Sequence, residues 1–195
     1  MASAAEKGQS EGWMDRLLRG EHQVFAEFVD KYKELVFICC RTLGLKGHEA
    51  EDVASETFLA VYNGLSRYKG QFSLSTWLWR IAYHQGVNYL RKNKKCRQLP
   101  AEPDTPFADS ENTQTSAQAE RKKEEAELVW QAVEQLPRLW AITVVLFYRE
   151  GKSISEIAKI IKVRQNTVKT YLFRARLKLK ELLADVLGEN PDDNG

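Results

Sequence analysis

The chain has 195 residues, 43% of them hydrophobic and 29% charged, and its 29 Lys+Arg against 27 Asp+Glu leave a net charge of only +2. That length holds one or two domains, each able to bury a core. Three cysteines with no CxxC spacing (adjacent Cys39 and Cys40, lone Cys96), no long apolar run, no signal peptide and no metal-ligand spacing among His22, His48 and His84 exclude a disulfide scaffold, a membrane span and a metal centre, and predict a reduced, cytoplasmic protein without cofactors.

Hydrophobic periodicity is helical nearly throughout, so the predicted fold class is all-α. Phe25, Phe28, Val29, Tyr32, Val36, Cys39 and Leu43 mark a first amphipathic helix closed by Gly44. At least one of Cys39 and Cys40 is expected to be buried there.

A second helix is predicted from about His48 to Gly64, with Ala50, Val53, Thr57 and Ala60 as its core stripe. The opposite face holds Glu51, Ser55, Phe58 and Tyr62, flanked by Asp52 and Leu59. Aromatic rings among carboxylates suit a docking surface for a basic partner protein. Alternatively, Phe58 and Tyr62 pack under the first helix; spacing leaves both readings open. With no nucleophile, histidine or metal ligand beside them, these carboxylates do not suggest catalysis.

The loop Tyr68-Lys69-Gly70-Gln71-Phe72 leads into a third helix, from about Ser73 to Lys94. Trp79, Tyr83, Gly86 and Leu90 form its expected core side. Trp77, Ile81, His84, Asn88 and Arg91 form the other, and Arg80 to Gln98 carries six basic residues and no acid. Cations bind phosphate, and aromatic faces hold unstacked bases at about 1–3 kcal/mol each, so this segment fits single-stranded or melted nucleic acid. A loop with two aromatics and a glycine can also supply a pocket for a flipped base.

From Leu99-Pro100 to Gln118 the chain turns polar and proline-bearing, which predicts a flexible linker over residues 96–120 between domains at 1–95 and 121–188, with a frayed tail at 189–195. As a coil, those 25 linker residues average roughly 28 Å, and extended about 80 Å. Periodicity resumes with Ala126, Val129, Trp130 and Val133, and Pro137 suits the first turn of the next helix.

Ser153 with Glu156 three residues on is a capping box, opening a short helix through Ile154, Ile157, Ala158 and Ile161. A second helix follows after Lys162-Val163, with Val168, Leu172, Ala175 and Leu179 inward and Lys169, Thr170, Phe173 and Arg174 outward. Lys162 to Lys180 carries seven basic residues and no acid. Two short helices with a basic second member make a helix-turn-helix, which offers that member to the major groove.

These segments resemble a known family. Ala50-Glu51-Asp52-Val53-Ala54-Ser55-Glu56-Thr57-Phe58, Thr76-Trp77-Leu78-Trp79-Arg80-Ile81-Ala82 and Asn88-Tyr89-Leu90-Arg91-Lys92 are similar to region 2 of the sigma-70 family. Leu136-Pro137, Ser153 to Ala158, and Thr167-Val168-Lys169 with Phe173-Arg174-Ala175-Arg176 are similar to region 4. The lack of a region 1.1 or region 3 counterpart resembles the extracytoplasmic-function group. The resemblance implies a sigma factor that recruits bacterial RNA polymerase core to promoter DNA, with an anti-sigma factor as a further partner. It implies that Glu51, Asp52, Ser55, Glu56 and Phe58 dock on the polymerase clamp helices. It places Tyr68, Lys69, Phe72, Trp77, His84, Asn88 and Arg91 on the −10 element, and Thr167, Lys169, Thr170, Phe173 and Arg174 on the −35 element. Leu78 stands where primary sigma factors carry a second tryptophan, His84 where asparagine is frequent, Tyr171 where arginine is frequent, and Lys162 at the usual turn glycine. The rival readings are a free-standing helix-turn-helix regulator and an adaptor that binds acidic partners.

Overall fold

A computed structural model describes residue 16 and residues 22–68, 70, 72–93 and 117–187. Of the linker predicted over 96–120, residues 96–116 lie outside the described residues, as do Lys69 and the tail, whereas residues 117–120 form the first turn of a helix. All elements described are helical: α1 His22–Thr42, α2 His48–Gly64, a 3₁₀ turn Leu65–Arg67, α3 Leu74–Lys92, α4 Ala117–Glu134, α5 Arg138–Val144 continuing as a π-helical stretch Val145–Arg149, α6 Ile154–Ile161 and α7 Gln165–Leu187.

The first three helices pack on one another. Trp79 and Leu78 of α3, Phe28, Val36 and Cys39 of α1, and Val53 and Val61 of α2 are fully or almost fully buried between them; each such large side chain contributes about 1.5–3 kcal/mol. The α1 stripe includes Val24 and Cys40 beyond the predicted set, while Phe25, Val29 and Tyr32 are only half-buried. Both neighbouring cysteines are buried, and burial raises the Cys39 thiol and pushes the Cys40 thiol up to about 12, which disfavours the thiolate. Gly86 lets α3 approach α1: a Cβ there would stand 2.4 Å from Leu43 Cδ1.

The last four helices form a second assembly around α7, which touches α4, α5 and α6. On α4, Val133 of the predicted row is buried together with Ala132 and Trp130 is half-buried, whereas Ala126 and Val129 are exposed. Pro137 sits one position earlier than predicted, as the N-cap of α5 with φ −51° and ψ 134°. Past Val144 the backbone widens, and the Glu150 amide donates to the Val145 carbonyl, the i→i−5 pattern of a π turn. The Ser153 capping box closes as predicted: its hydroxyl accepts from the Glu156 amide, and Glu156 accepts from the Ser153 amide. α6 ends at Lys162 in the left-handed region, φ 56°. α3 packs against α6 and α1 against α5, so both assemblies share one continuous core cluster.

Candidate nucleic-acid and protein interfaces

The outer face of α2 presents Glu51, Asp52, Ser55, Glu56, Leu59 and Tyr62 to solvent. Leu59 is 55% exposed although apolar. Phe58 departs from the expectation that it lies off the core stripe. It is 8% exposed, and its ring meets Phe28 edge-on at 6.3 Å. Three- and four-residue steps from Val53 and Ala54 carry it inward with Thr57 and Val61. Tyr62 stays at the rim, its ring 5.1 Å from that of Phe25. The face is thus acidic with one bare leucine at its centre, and Leu59 is the docking candidate that sequence reading had placed only at the flank.

α3 builds the second surface. The Ser73 hydroxyl caps its start by accepting from the Thr76 amide. The Tyr68 hydroxyl donates to the Phe72 carbonyl, which closes the loop entering the helix, and burial raises the Tyr68 pKa. Trp77 lies half-buried, its ring 5.0 Å from Tyr68 and close over Gly64, where a Cβ would come within 3.3 Å. One wall of a shallow cavity of about 250 Å³ is therefore aromatic, and Trp77, Arg80, Ile81, His84, Gln85 and Asn88 line it. Arg80 and Gln85 had not been singled out from sequence, though they share the i, i+3, i+4 row of Trp77, Ile81 and His84. His84 Nε2 is buried and without a hydrogen-bond partner among the described residues. Burial first, then the charges of Lys162, Arg80 and Arg91, hold the His84 pKa below its usual value, which favours the neutral ring. Asn88 and Arg91 are exposed, and Phe72 is half-buried with the Lys159 ammonium 4.9 Å from its ring centre.

The third surface is α7. Val168, Leu172 and Ala175 are buried and Leu179 half-buried, as predicted. Lys169, Thr170, Phe173 and Arg174 point outward, Phe173 at 61% exposure, with Thr167 half-buried at the helix start. Thr170 holds its hydroxyl on the Asn166 carbonyl at 3.0 Å, and Arg176 donates to the Tyr148 hydroxyl. Among the described residues no cluster of His, Cys, Asp and Glu can hold a metal ion, and no helix is long and apolar enough to cross a membrane.

Residues 28–96 match the family model of sigma-70 region 2, and residues 126–179 that of sigma-70 region 4. Over 179 residues the chain is 32% identical to the ECF RNA polymerase sigma factor SigW of Bacillus subtilis, covering 86% of this chain and 93% of that protein. The chain belongs to the extracytoplasmic-function sigma factors of the sigma-70 family. It is also 27% identical, over 93% of its length and 97% of the relative's, to the RNA polymerase sigma-H factor of Pseudomonas aeruginosa. The fold is similar to that of the sigma factor RpoE of Bartonella quintana, solved with the anti-sigma factor NepR (TM-score 0.64, 19% identity, 82% of this chain and 96% of that one). It is similar too to CnrH, solved with the cytosolic domain of CnrY (TM-score 0.60, 21% identity, 89% and 96% covered).

As a sigma factor, the protein binds RNA polymerase core and directs transcription initiation at promoters. Within this sigma factor Leu78, at the position of the second tryptophan of primary members, is fully buried and offers no side chain to DNA. Lys162, at the usual turn glycine, accepts the left-handed conformation glycine adopts without cost.

Proposed function

We propose that this cytoplasmic sigma factor divides its work among three faces, in domains at residues 1–95 and 117–188 joined by a tether at 96–116, with the tail at 189–195 outside both. The acidic α2 face (Glu51, Asp52, Ser55 and Glu56, with Leu59 at its centre) docks on the polymerase clamp. Phe58 supports that face from beneath instead of touching the partner. The α3 face reads the −10 element after strand separation: Trp77 and Tyr68 meet unpaired bases, His84 and Asn88 border the cavity, and Lys69, Phe72 and Arg91 flank the strand. The α7 face reads the duplex −35 element, with Lys169 and Arg174 reaching phosphate or guanine edges, Thr170 and Thr167 hydrogen-bonding, and Phe173 meeting a thymine methyl or a sugar.

The observation that carries this division is the contrast between an aromatic-walled cavity on one helix and an open, cationic helix face on another. The first suits an unstacked base and the second a major groove. None of the three faces joins a nucleophile to a base, so the protein's part is binding and not catalysis. Because RpoE of Bartonella quintana is held by an anti-sigma factor, an anti-sigma factor is proposed as a partner here too.

Run-off transcription tests the proposal. Core polymerase with this protein should yield promoter-specific transcripts absent with core alone, and the Glu56→Ala, Leu59→Ala variant should lose core binding while keeping its helical content. Tight, sequence-specific footprints on duplex DNA from the purified chain alone would favour a free-standing regulator instead.

A further inference from the structure

The π turn sends two neighbouring side chains in different directions. Arg149 goes to Glu34 of α1 and to the Trp130 ring of α4. Tyr148 goes to α7, where Arg176 donates through Nε to its hydroxyl and holds its guanidinium carbon 5.6 Å from the ring centre. Neither member of this pair belongs to the core: Tyr148 is 57% exposed, and Arg176 is exposed beside it.

We propose that Tyr148 and Arg176 form a clamp for one backbone phosphate of duplex DNA, at the wall of the major groove that α7 enters. The inference rests on the reading of α7 as the −35 reader and adds a contact that reading does not include. Three observations carry it. The first is the set of donors. Nε is engaged within the pair, which leaves the two Nη groups of Arg176 as an end-on fork, suited to two parallel bonds to a phosphate. Because the Tyr148 oxygen accepts from Arg176, its own proton remains to be donated, and the same phosphate can take it. The second is charge. Lys162 to Lys180 holds no acid, and among the described residues no carboxylate pairs with Arg176, whereas Lys178 is paired with Glu181 and Arg149 with Glu34.

The third is place. Lys169, Phe173 and Arg176 follow one another at i, i+4 and i+7, along one side of α7. From Thr167 to Arg176 is nine positions, about 13.5 Å of helix, and the major groove is about 12 Å wide. A helix that leads with its N-terminus therefore sets its first turns over the base edges and Arg176 over a strand.

The pairing also fits the task. A guanidinium on an exposed helix face is normally free to turn. Here a ring anchored by the π turn holds it, so the fork is aimed before DNA arrives and binding costs less side-chain freedom. A phosphate contact carries no base identity. The clamp fixes where α7 lies along the groove, and the bases are read by its neighbours.

The test uses holoenzyme, the full-length chain with core polymerase, and measures closed-complex binding to a fully paired, fluorescein-labelled promoter on which it gives run-off transcripts. Arg176→Ala should weaken binding about tenfold and flatten the slope of log affinity against log salt by about 0.9. Tyr148→Phe removes only the hydroxyl and should weaken binding about threefold with the slope unchanged. Both losses should be the same on a promoter whose −35 base pairs have been replaced. Neutral methylphosphonates, placed one at a time around the −35 element, then locate the contact. One position should cost the parent about tenfold and cost Arg176→Ala little more. If Arg176→Ala lowers the thermal midpoint, Arg176→Lys replaces it, since it keeps the stem and the charge but not the fork, and its loss should fall at the same phosphate. Parent-like affinity and salt slope in Arg176→Ala, while Arg174→Ala still weakens −35 binding, would overturn the clamp and leave the reading of α7 standing. A methylphosphonate profile equally costly to parent and Arg176→Ala at every position would show that Arg176 only braces the π turn, and would overturn it too. If Arg174→Ala also changes nothing, the assignment of α7 fails, and the clamp falls with it.

Discussion

The two DNA-facing helices solve opposite problems. α7 turns an apolar row inward and a cationic row, with the exposed Phe173 among it, outward, so a side chain's part in the core and its part in recognition do not compete. On α3 they do: Trp77 is half in the aromatic layer with Tyr68 and half in the cavity wall, and His84 has one ring nitrogen buried. A duplex reader needs only reach, since base edges and phosphates are displayed in the groove. A reader of unpaired bases needs flat apolar surface, and a folded chain keeps such surface by half-burying it. The same contrast recurs on α2, where Phe58 went inside and Leu59 stayed out.

The largest expected effect tests where that line falls. Phe58→Ala should destabilise the protein by about 3–5 kcal/mol, the usual cost of emptying a buried phenylalanine site, and urea denaturation measures it. A variant as stable as the parent would return Phe58 to the docking surface. Glu56→Ala, on the exposed side of the same helix, should change stability by less than about 0.5 kcal/mol.

Ser153→Ala probes the other half. It removes the hydroxyl from the α6 capping box and should cost about 1 kcal/mol, read from the shift in thermal midpoint. The same box sets a pH dependence. Burial alone would raise the Glu156 pKa, but hydrogen bonds from the Ser153 amide and hydroxyl and from Thr76, with the charge of Lys152, bring it below the ordinary 4.5. A carboxylate with a depressed folded-state pKa stabilises the fold above its unfolded value and loses that contribution as pH falls through the folded one. The gap between parent and Ser153→Ala should therefore narrow, without closing, as the pH falls through the lowered Glu156 pKa, because the bond from the Glu156 amide to the Ser153 hydroxyl does not titrate; a gap independent of pH would remove the Glu156 carboxylate from the account.

The smallest effect is at the turn. Lys162→Gly relieves a left-handed lysine worth about 1 kcal/mol but adds freedom to the unfolded chain, so a net gain of under about 1 kcal/mol is expected, read from the urea midpoint. Loss of stability would mean that the lysine side chain holds the turn.

Which of these features the sequence disclosed follows from the same physics. The α7 faces, the Ser153 box and the limits of α2 were readable because each rests on local rules: period, cap and breaker. The α2 stripe was misjudged by one position because a phenylalanine among carboxylates is compatible with either side of a helix, and only the ring of Phe28 on α1 decides it. On α4, Val133 of the periodic row is buried, but Ala126 and Val129 are exposed and the core closes on Ala132 beside Val133. The meeting of α3 with α6 had no local signature at all. It joins Thr76 to Glu156 across 80 residues, and nothing in either segment names the other.

The central claim, that α3 reads melted DNA and α7 reads duplex, has one direct measurement. Trp77→Ala and Arg174→Ala are assembled as holoenzymes and compared in promoter opening on a fully paired promoter and on one pre-melted at the −10 element. Arg174→Ala should lose about 1–3 kcal/mol of −35 recognition if its contact is bidentate to a base, on both templates alike. Trp77→Ala should spare closed-complex binding and fail in opening, and pre-melting should restore most of that loss. Equal rescue of the two variants would contradict the division of labour between the helices.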